Sequence, residues 1–316
     1  MNIEPEISVI VPFFNEEHTI QELHARLVAV MDGLGRPYEI IFVDDSSRDA
    51  TFEHMRSLKP LRAFRLGRNR GQTKAFALGV AKARGEIIVS LDGDLENFPE
   101  DIPALIRKLD EGYDIVSGWR RARWRGQFFR RKIPSLLANR LISWISGFRI
   151  HDHGCFLRAY RKTALSSFDF HGEVQRMIIP YAAHNGASIA EVEVRYAPRA
   201  HGVSHYGLSR IFEVMIDMLS LHFFHRFGSR PRHFFGRIGF ISFFFSLTAA
   251  IYMLYLKIFE GKSFIITPMP LVVALFALVG VIFVLMGILA EMIVRRENKA
   301  TPMEFDIREE IDATAP

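Results

Sequence analysis

Glu86-Ile87-Ile88-Val89-Ser90-Leu91-Asp92-Gly93-Asp94-Leu95-Glu96 reads as a buried strand that ends on a cluster of carboxylates. An unbroken run of apolar and small residues, rich in β-branched types, suits a strand covered on both faces. Two carboxylates one residue apart at a strand end can approach one hard cation. Mg2+ or Mn2+ takes such oxygen ligands and completes its shell with phosphate oxygens. A cation held there bridges a diphosphate and stabilises charge on a leaving group. An Asp-x-Asp alone is common in loops, so its weight comes from its place after a strand.

Working outward, Ile7–Pro12, Tyr38–Val43, Leu61–Leu66 and Tyr113–Gly118 are further short apolar runs. Helical patterns alternate with them. One opens at Asn15–Glu16 and runs to about Leu34, and another spans Gln72 to Ala83 and closes on Gly85. The alternation predicts an α/β fold with a mainly parallel, doubly wound sheet, whose ligands sit outside the carboxyl ends of the strands. The polar clusters fall there: Phe13–Glu16, Asp44–Ser47 and Asp92–Glu96. A carboxylate in the second cluster can accept from a nucleobase imide or a ribose; equally, Ser47 or Asp49 can cap a helix. The first strand is followed by Val11-Pro12-Phe13-Phe14-Asn15-Glu16. That is no Gly-x-Gly-x-x-Gly, and no P-loop occurs, which argues against a dinucleotide oxidoreductase.

The C-terminal part differs in kind. Ile238–Ile258 and Pro270–Val294 are long apolar segments, each able to cross about 30 Å of hydrocarbon. The turn Phe259–Met269 joins them. Arg226, Arg230, Arg232 and Arg237 flank the entry and Arg295, Arg296 and Lys299 the exit, which predicts both ends in the cytoplasm. Leu208–Phe227 has polar residues at helical spacing and reads as an amphipathic helix, either lying in the interface or packed in a core. Arg120–Lys132 is basic, with Trp119, Trp124, Phe128 and Phe129 interleaved. It is either a solvated loop or one that meets anionic headgroups.

The 316 residues carry 40 Lys and Arg against 35 Asp and Glu, a net charge of +5. That mild basicity suits nucleic acid, or anionic lipid and phosphate substrates; the membrane segments favour the second. Cys155 is the one cysteine, so no intrachain disulfide forms. The N-terminus lacks the pattern of a signal peptide, which places the first domain in the cytosol.

Ser8–Glu17, Val43–Asp49, Asn69–Gly71 and Leu91–Glu96 together resemble glycosyltransferase family 2 with the GT-A fold. His151–Tyr160, Arg199–Tyr206 and the paired spans extend the likeness to polyprenyl-phosphate glycosyltransferases over nearly the whole chain. The resemblance implies an inverting transfer of a sugar from a nucleotide-sugar, a UDP-sugar, to undecaprenyl or dolichyl phosphate at the inner or plasma membrane. It implies a GT-A domain over residues 1–206 and an amphipathic juxtamembrane region over 207–235. Two transmembrane helices over 236–296 and a disordered cytoplasmic tail over 297–316 complete the arrangement. Homo-oligomers through the membrane part are implied as well.

The same likeness assigns roles. Pro12, Phe14, Asn15, Glu16, Asp45 and Asp92 would surround the nucleotide. Asp92, Asp94 and Glu96 would hold Mg2+ or Mn2+; the family usually has Gln where this chain has Glu96. Arg120, Arg131 and Ser135 match positions that hold phosphates, and Arg199 and Ser204 match a loop facing the lipid phosphate. His205 stands where Lys is usual. Asp152 matches an acidic residue that serves as a base or a positioning group. A phosphate monoester is largely dianionic at pH 7, because its second pKa is about 6. It needs no base, so Asp152 reads better as an orienting group or a partner of Arg120 or Arg131. Rival readings are a membrane-bound sugar-nucleotide scaffold without turnover, or a processive polysaccharide synthase. The latter needs a Gln-x-x-Arg-Trp motif, which the sequence lacks.

Overall fold

The computed structural model describes residues 4–121, 150–165, 168, 178–198, 231–265, 267–297 and 305–313. The chain divides into two compact units, residues 1–218 with 304–316, and residues 219–303.

In the first unit β1 (Ile7–Phe13), β2 (Tyr38–Asp44), β3 (Leu61–Leu66) and β4 (Ile87–Ser90) form a parallel block. β5 (Ile115–Trp119), β6 (Arg158–Arg161), β7 (Ile189–Glu193) and β8 (Ile307–Ala313) complete the sheet in the order β7-β5-β6-β4-β1-β2-β3-β8. β6 lies antiparallel between β4 and β5, and β8 lies antiparallel on the β3 edge. From β1 the chain steps through β2 to β3 on one side and places β4 on the other. A crevice opens at such a reversal, beyond the carboxyl ends of the strands.

The helices are α1 (Ile20–Leu34), α2 (Thr51–Met55), α3 (Gln72–Lys82), α4 (Ile102–Asp110), α5 (Lys162–Leu165) and α6 (Ile178–His184). α1 buries Ile20, Leu23, His24, Leu27 and Met31, the stripe that three- and four-residue spacing puts on one face. Every residue of β1 is buried. Each fully buried aliphatic side chain of this kind contributes about 1.5–3 kcal/mol. Where α3 hands the chain to β4, a Cβ on Gly85 would meet the Glu6 carbonyl oxygen at 2.8 Å. Glycine is what lets the two backbones pass.

Two expectations are corrected. The first helix begins at Ile20, not at Asn15–Glu16. Asn15 has φ 56°, outside the right-handed helical region, and residues 14–19 form a loop instead. The expectation of a disordered tail after Lys299 is corrected by Ile307–Ala313, which is an ordered strand of the sheet. Its half-buried and exposed residues alternate, with Ile311 packed on the core. That period of two is the signature of a one-sided strand.

The second unit holds α7 (Pro231–Phe259) and α8 (Met269–Glu297), two helices long and apolar enough to cross a membrane. They pack on each other closely. A Cβ on Gly239 would lie 3.0 Å from the Gly280 carbonyl oxygen, and Ser246 Oγ donates to the Val273 carbonyl at 2.9 Å. Phe240, Phe244, Leu271, Leu278 and Leu289 point outward and are exposed. Leu208–Phe227 and most of Arg120–Lys132 lie outside the described residues.

Candidate active site

The loops after β1, β2 and β4 each contain one non-glycine residue in the left-handed region: Asn15 at φ 56°, Ser46 at 64° and Leu95 at 60°. That conformation costs about 1–2 kcal/mol per residue, and such strain gathers at functional loops. The loops are stitched together. Asn15 N donates to Ser47 Oγ at 2.9 Å, and Arg48 N donates to Asn15 Oδ1 at 2.9 Å. Glu16 N donates to Thr51 Oγ1 at 2.9 Å. Thr19 Oγ1 donates to the Gly93 carbonyl at 2.7 Å, tying the β1 loop to the β4 tip.

Between them lies a cleft of ≈ 190 Å³. Pro12, Phe13, Phe14 and Glu16 line it from β1, Asp45 from β2, Gln72 from α3, and Asp92, Gly93 and Asp94 from β4. Phe14 is 44% exposed, a large ring left open at the mouth. Gly93 is required, since a Cβ there would sit 2.7 Å from the Phe13 ring.

The aspartates of the β2 tip divide the work. Asp44 is fully buried, accepts from Ser47 N at 3.0 Å and faces Arg65 Nε at 3.2 Å. Burial pushes its carboxyl up, against the pull of Ser47 and Arg65. Asp45 lines the cleft and accepts from Arg70 N at 2.7 Å and Gly71 N at 2.8 Å. It therefore fixes the turn that starts α3.

At the β4 tip, Asp92 accepts from Gln72 Nε2 and, at 3.5 Å, from Asn97 Nδ2. Burial first, then the charge of Asp94, pushes its carboxyl up to about 7, although Arg120 and the Gln72 hydrogen bond pull it down. Asp94 accepts from Glu96 N at 3.0 Å and is buried in the same cleft. Two crowded, desolvated carboxylates carry negative charge that a divalent cation would neutralise, so the donor set fits one. Among the described residues no group of three His, Cys, Asp or Glu side chains is arranged to hold a metal. Glu96 is not among the cleft-lining residues; it acts on Asp92 through its charge. Phosphate and water oxygens would have to complete the shell of such a cation.

Beyond β5, Arg120 and Asp152 are both buried and pair through two hydrogen bonds of 2.8 and 3.1 Å. Asp152 Oδ1 also accepts from Gly154 N at 3.0 Å. Burial opposes the charge of Arg120, but the neighbouring acidic groups, Asp152 foremost, hold its pKa above the ordinary value. His151 stacks on Trp119 at 4.2 Å, and its Nδ1 lies 2.8 Å from Glu191. Burial pushes the Cys155 thiol up to about 11.

Residues 8–168 match the family described as glycosyl transferase family 2, a span that contains the cleft and the Arg120–Asp152 pair. The chain belongs to glycosyl transferase family 2. It is a glycosyltransferase. It is similar to the dodecaprenyl-phosphate galacturonate synthase of Rhizobium johnstonii, 40% identical over 92% of this chain and 88% of that one. It is also similar to the undecaprenyl-phosphate 4-deoxy-4-formamido-L-arabinose transferase of Edwardsiella ictaluri, 33% identical over 95% of this chain and 92% of that one. The glucosyl-3-phosphoglycerate synthase of Mycobacterium tuberculosis, solved with Mn2+, UDP-glucose and phosphoglyceric acid, superposes with a TM-score of 0.55. That match is 21% identical and covers 69% of this chain and 80% of that one. This last likeness carries the GT-A fold alone.

For this family 2 glycosyltransferase, the cleft gathers Pro12, Phe14, Glu16, Asp45, Asp92 and Asp94, six of the residues expected from the sequence. Asn15 is exposed and spends its amide on the β2 loop. Arg131, Ser135, Arg199, Ser204 and His205 lie outside the described residues. Sequence reading missed Thr19, Gln72 and Asn97, which hold the β4 tip. Gln72 left a signal, since it opens a helix directly after Gly71.

Proposed function

We propose that this glycosyltransferase moves a sugar from a nucleotide-sugar, a UDP-sugar, to a polyprenyl phosphate at a membrane surface, with inversion. The observation that carries the reading is that Asp92 and Asp94 line one cleft with Asp45 and Phe14. The two relatives named as polyprenyl-phosphate sugar transferases, matched over nearly the full chain, support the acceptor.

Phe14 offers a face for the base and Asp45 an acceptor for base or ribose, with Pro12 and Glu16 closing that end. Asp92 and Asp94 would hold Mg2+ or Mn2+, with Glu96 adding charge nearby. Such a cation would offset charge on the diphosphate leaving group. An oxygen of the acceptor phosphate forms a bond to the anomeric carbon as the bond to the diphosphate oxygen breaks. In-line attack gives a β-linked product from an α-linked donor, and the nucleoside diphosphate leaves.

The acceptor arrives largely as a dianion, so no proton need be removed. Both oxygens of Asp152 are already engaged by Arg120 and Gly154, which favours an orienting role. Asp152 fixes the Arg120 guanidinium, and Arg120 with Arg131 brings the two anions together. Ser135, Arg199 and Ser204 are assigned to the lipid phosphate.

Topology supports the membrane arrangement. β3 precedes the two apolar helices and β8 follows them, yet the strands are hydrogen-bonded neighbours. That pairing supports a hairpin with both ends on one side of the bilayer and an even number of crossings. The arginines at the outer ends of both apolar segments support a cytoplasmic location for that side.

The test is transfer of labelled sugar from a panel of UDP- and GDP-sugars to undecaprenyl phosphate, with and without EDTA. Chelator-sensitive transfer of one sugar per lipid is expected. Tight donor binding by folded, metal-supplied protein without transfer would favour the scaffold. Products carrying many sugars would favour a processive synthase.

A further inference from the structure

Glu309 is a charged residue on the half-buried face of β8, which otherwise shows Ile307, Ile311 and Ala313. Placing a carboxylate there needs a partner, and the register supplies one: Glu309 stands opposite Arg65 of β3. Directly opposed residues of an antiparallel pair share a face. Arg65 Nη1 lies 3.4 Å from Glu309 Oε1. Arg56 Nη2 reaches the other carboxylate oxygen.

Arg65 carries the contact further. Its Nη2 donates to the Ser47 carbonyl at 2.9 Å, its Nε faces Asp44 Oδ2 at 3.2 Å, and its guanidinium lies 5.2 Å from the Phe52 ring centre. Ser47 Oγ in turn accepts from Asn15 N. A single line of contacts thus runs from the C-terminal strand to the β2 and β1 loops, which present Asp45 and Phe14 to the cleft. An inward charge on an edge strand can also serve only to block edge-to-edge association. That reading does not account for the fan of Arg65 onto Asp44 and Ser47.

We infer that Glu309 is a positioning residue for donor binding, acting through Arg65 on the Asp44–Ser47 loop. The inference rests on the reading that this cleft takes the nucleotide-sugar. β8 therefore does more than cover an edge, since the returning C-terminus sets the shape of the donor pocket.

The experiment compares full-length protein with Glu309→Ala, Glu309→Asp and Glu310→Ala; Glu310 is exposed on the opposite face of the same strand. Binding of UDP and GDP is measured by calorimetry alongside steady-state transfer and thermal unfolding. Glu309→Ala is expected to weaken nucleoside diphosphate binding and raise the donor KM roughly three- to tenfold. The polyprenyl phosphate KM should stay unchanged, Glu309→Asp should recover most of the loss, and Glu310→Ala should match wild type. Donor affinity within twofold of wild type in Glu309→Ala would overturn the inference. So would a fall in unfolding temperature and kcat with donor affinity unchanged, which marks a plain edge cover. Wild-type protein that binds UDP or GDP but transfers no sugar would count against the transfer reading alone. Wild-type protein that binds neither nucleotide would overturn both.

Discussion

Arg120 and Asp152 hold each other through two hydrogen bonds of 2.8 and 3.1 Å, with both side chains buried. Removing one partner strands the other charge. Arg120→Ala or Asp152→Ala should each lower stability by about 3–5 kcal/mol, read by denaturant unfolding. The double variant should cost clearly less than the sum. Asp152→Asn addresses chemistry: if Asp152 were a base, the acid limb of the kcat–pH profile would vanish with it. An orienting role leaves that limb in place.

Asp94→Asn keeps the shape of a buried side chain but removes one of the paired charges at the β4 tip. Turnover should fall by about 10²–10³-fold or more, as when a transition-state charge stabiliser is lost. Circular dichroism and unfolding temperature should match wild type. Near-normal transfer of labelled sugar would remove Asp94 from the cation site.

Gly93→Ala places a methyl 2.7 Å from the Phe13 ring. Either the ring or the β4 tip must shift, at a cost of roughly 1–3 kcal/mol for overpacking. The Thr19–Gly93 hydrogen bond would be disturbed as well. Weaker nucleotide binding together with a lower unfolding temperature is expected, and an unchanged protein would refute the close approach.

Cys155 is fully buried, and burial raises its thiol to about 11 from an ordinary 9.0. Folded protein should resist iodoacetamide at neutral to mildly alkaline pH and react once unfolded. The unfolded thiol ionises first, so this contribution to stability is intact below about pH 9 and declines as pH rises toward about 11. Cys155→Ala should flatten that alkaline decline.

Local patterns were legible because their causes are local. β3 spans the expected Leu61–Leu66, and α3 lies within one residue of its expected end, since burial on both faces demands unbroken apolar runs. The start of α1 was misplaced because Asn15 and Glu16 resemble a helix opening. The left-handed turn at Asn15 is imposed by the Ser47 loop, thirty-odd residues away.

From sequence alone come the parallel α/β block, the carboxylates at the β4 tip and the two apolar helices. Each is set by the spacing and polarity of neighbours along the chain. Only the tertiary structure shows β6 entering between β4 and β5, β8 closing the β3 edge, and Arg120 choosing Asp152. Strand partners and buried charge pairs depend on which distant backbone edges and opposite charges meet once the core is formed. No periodicity along the chain encodes that.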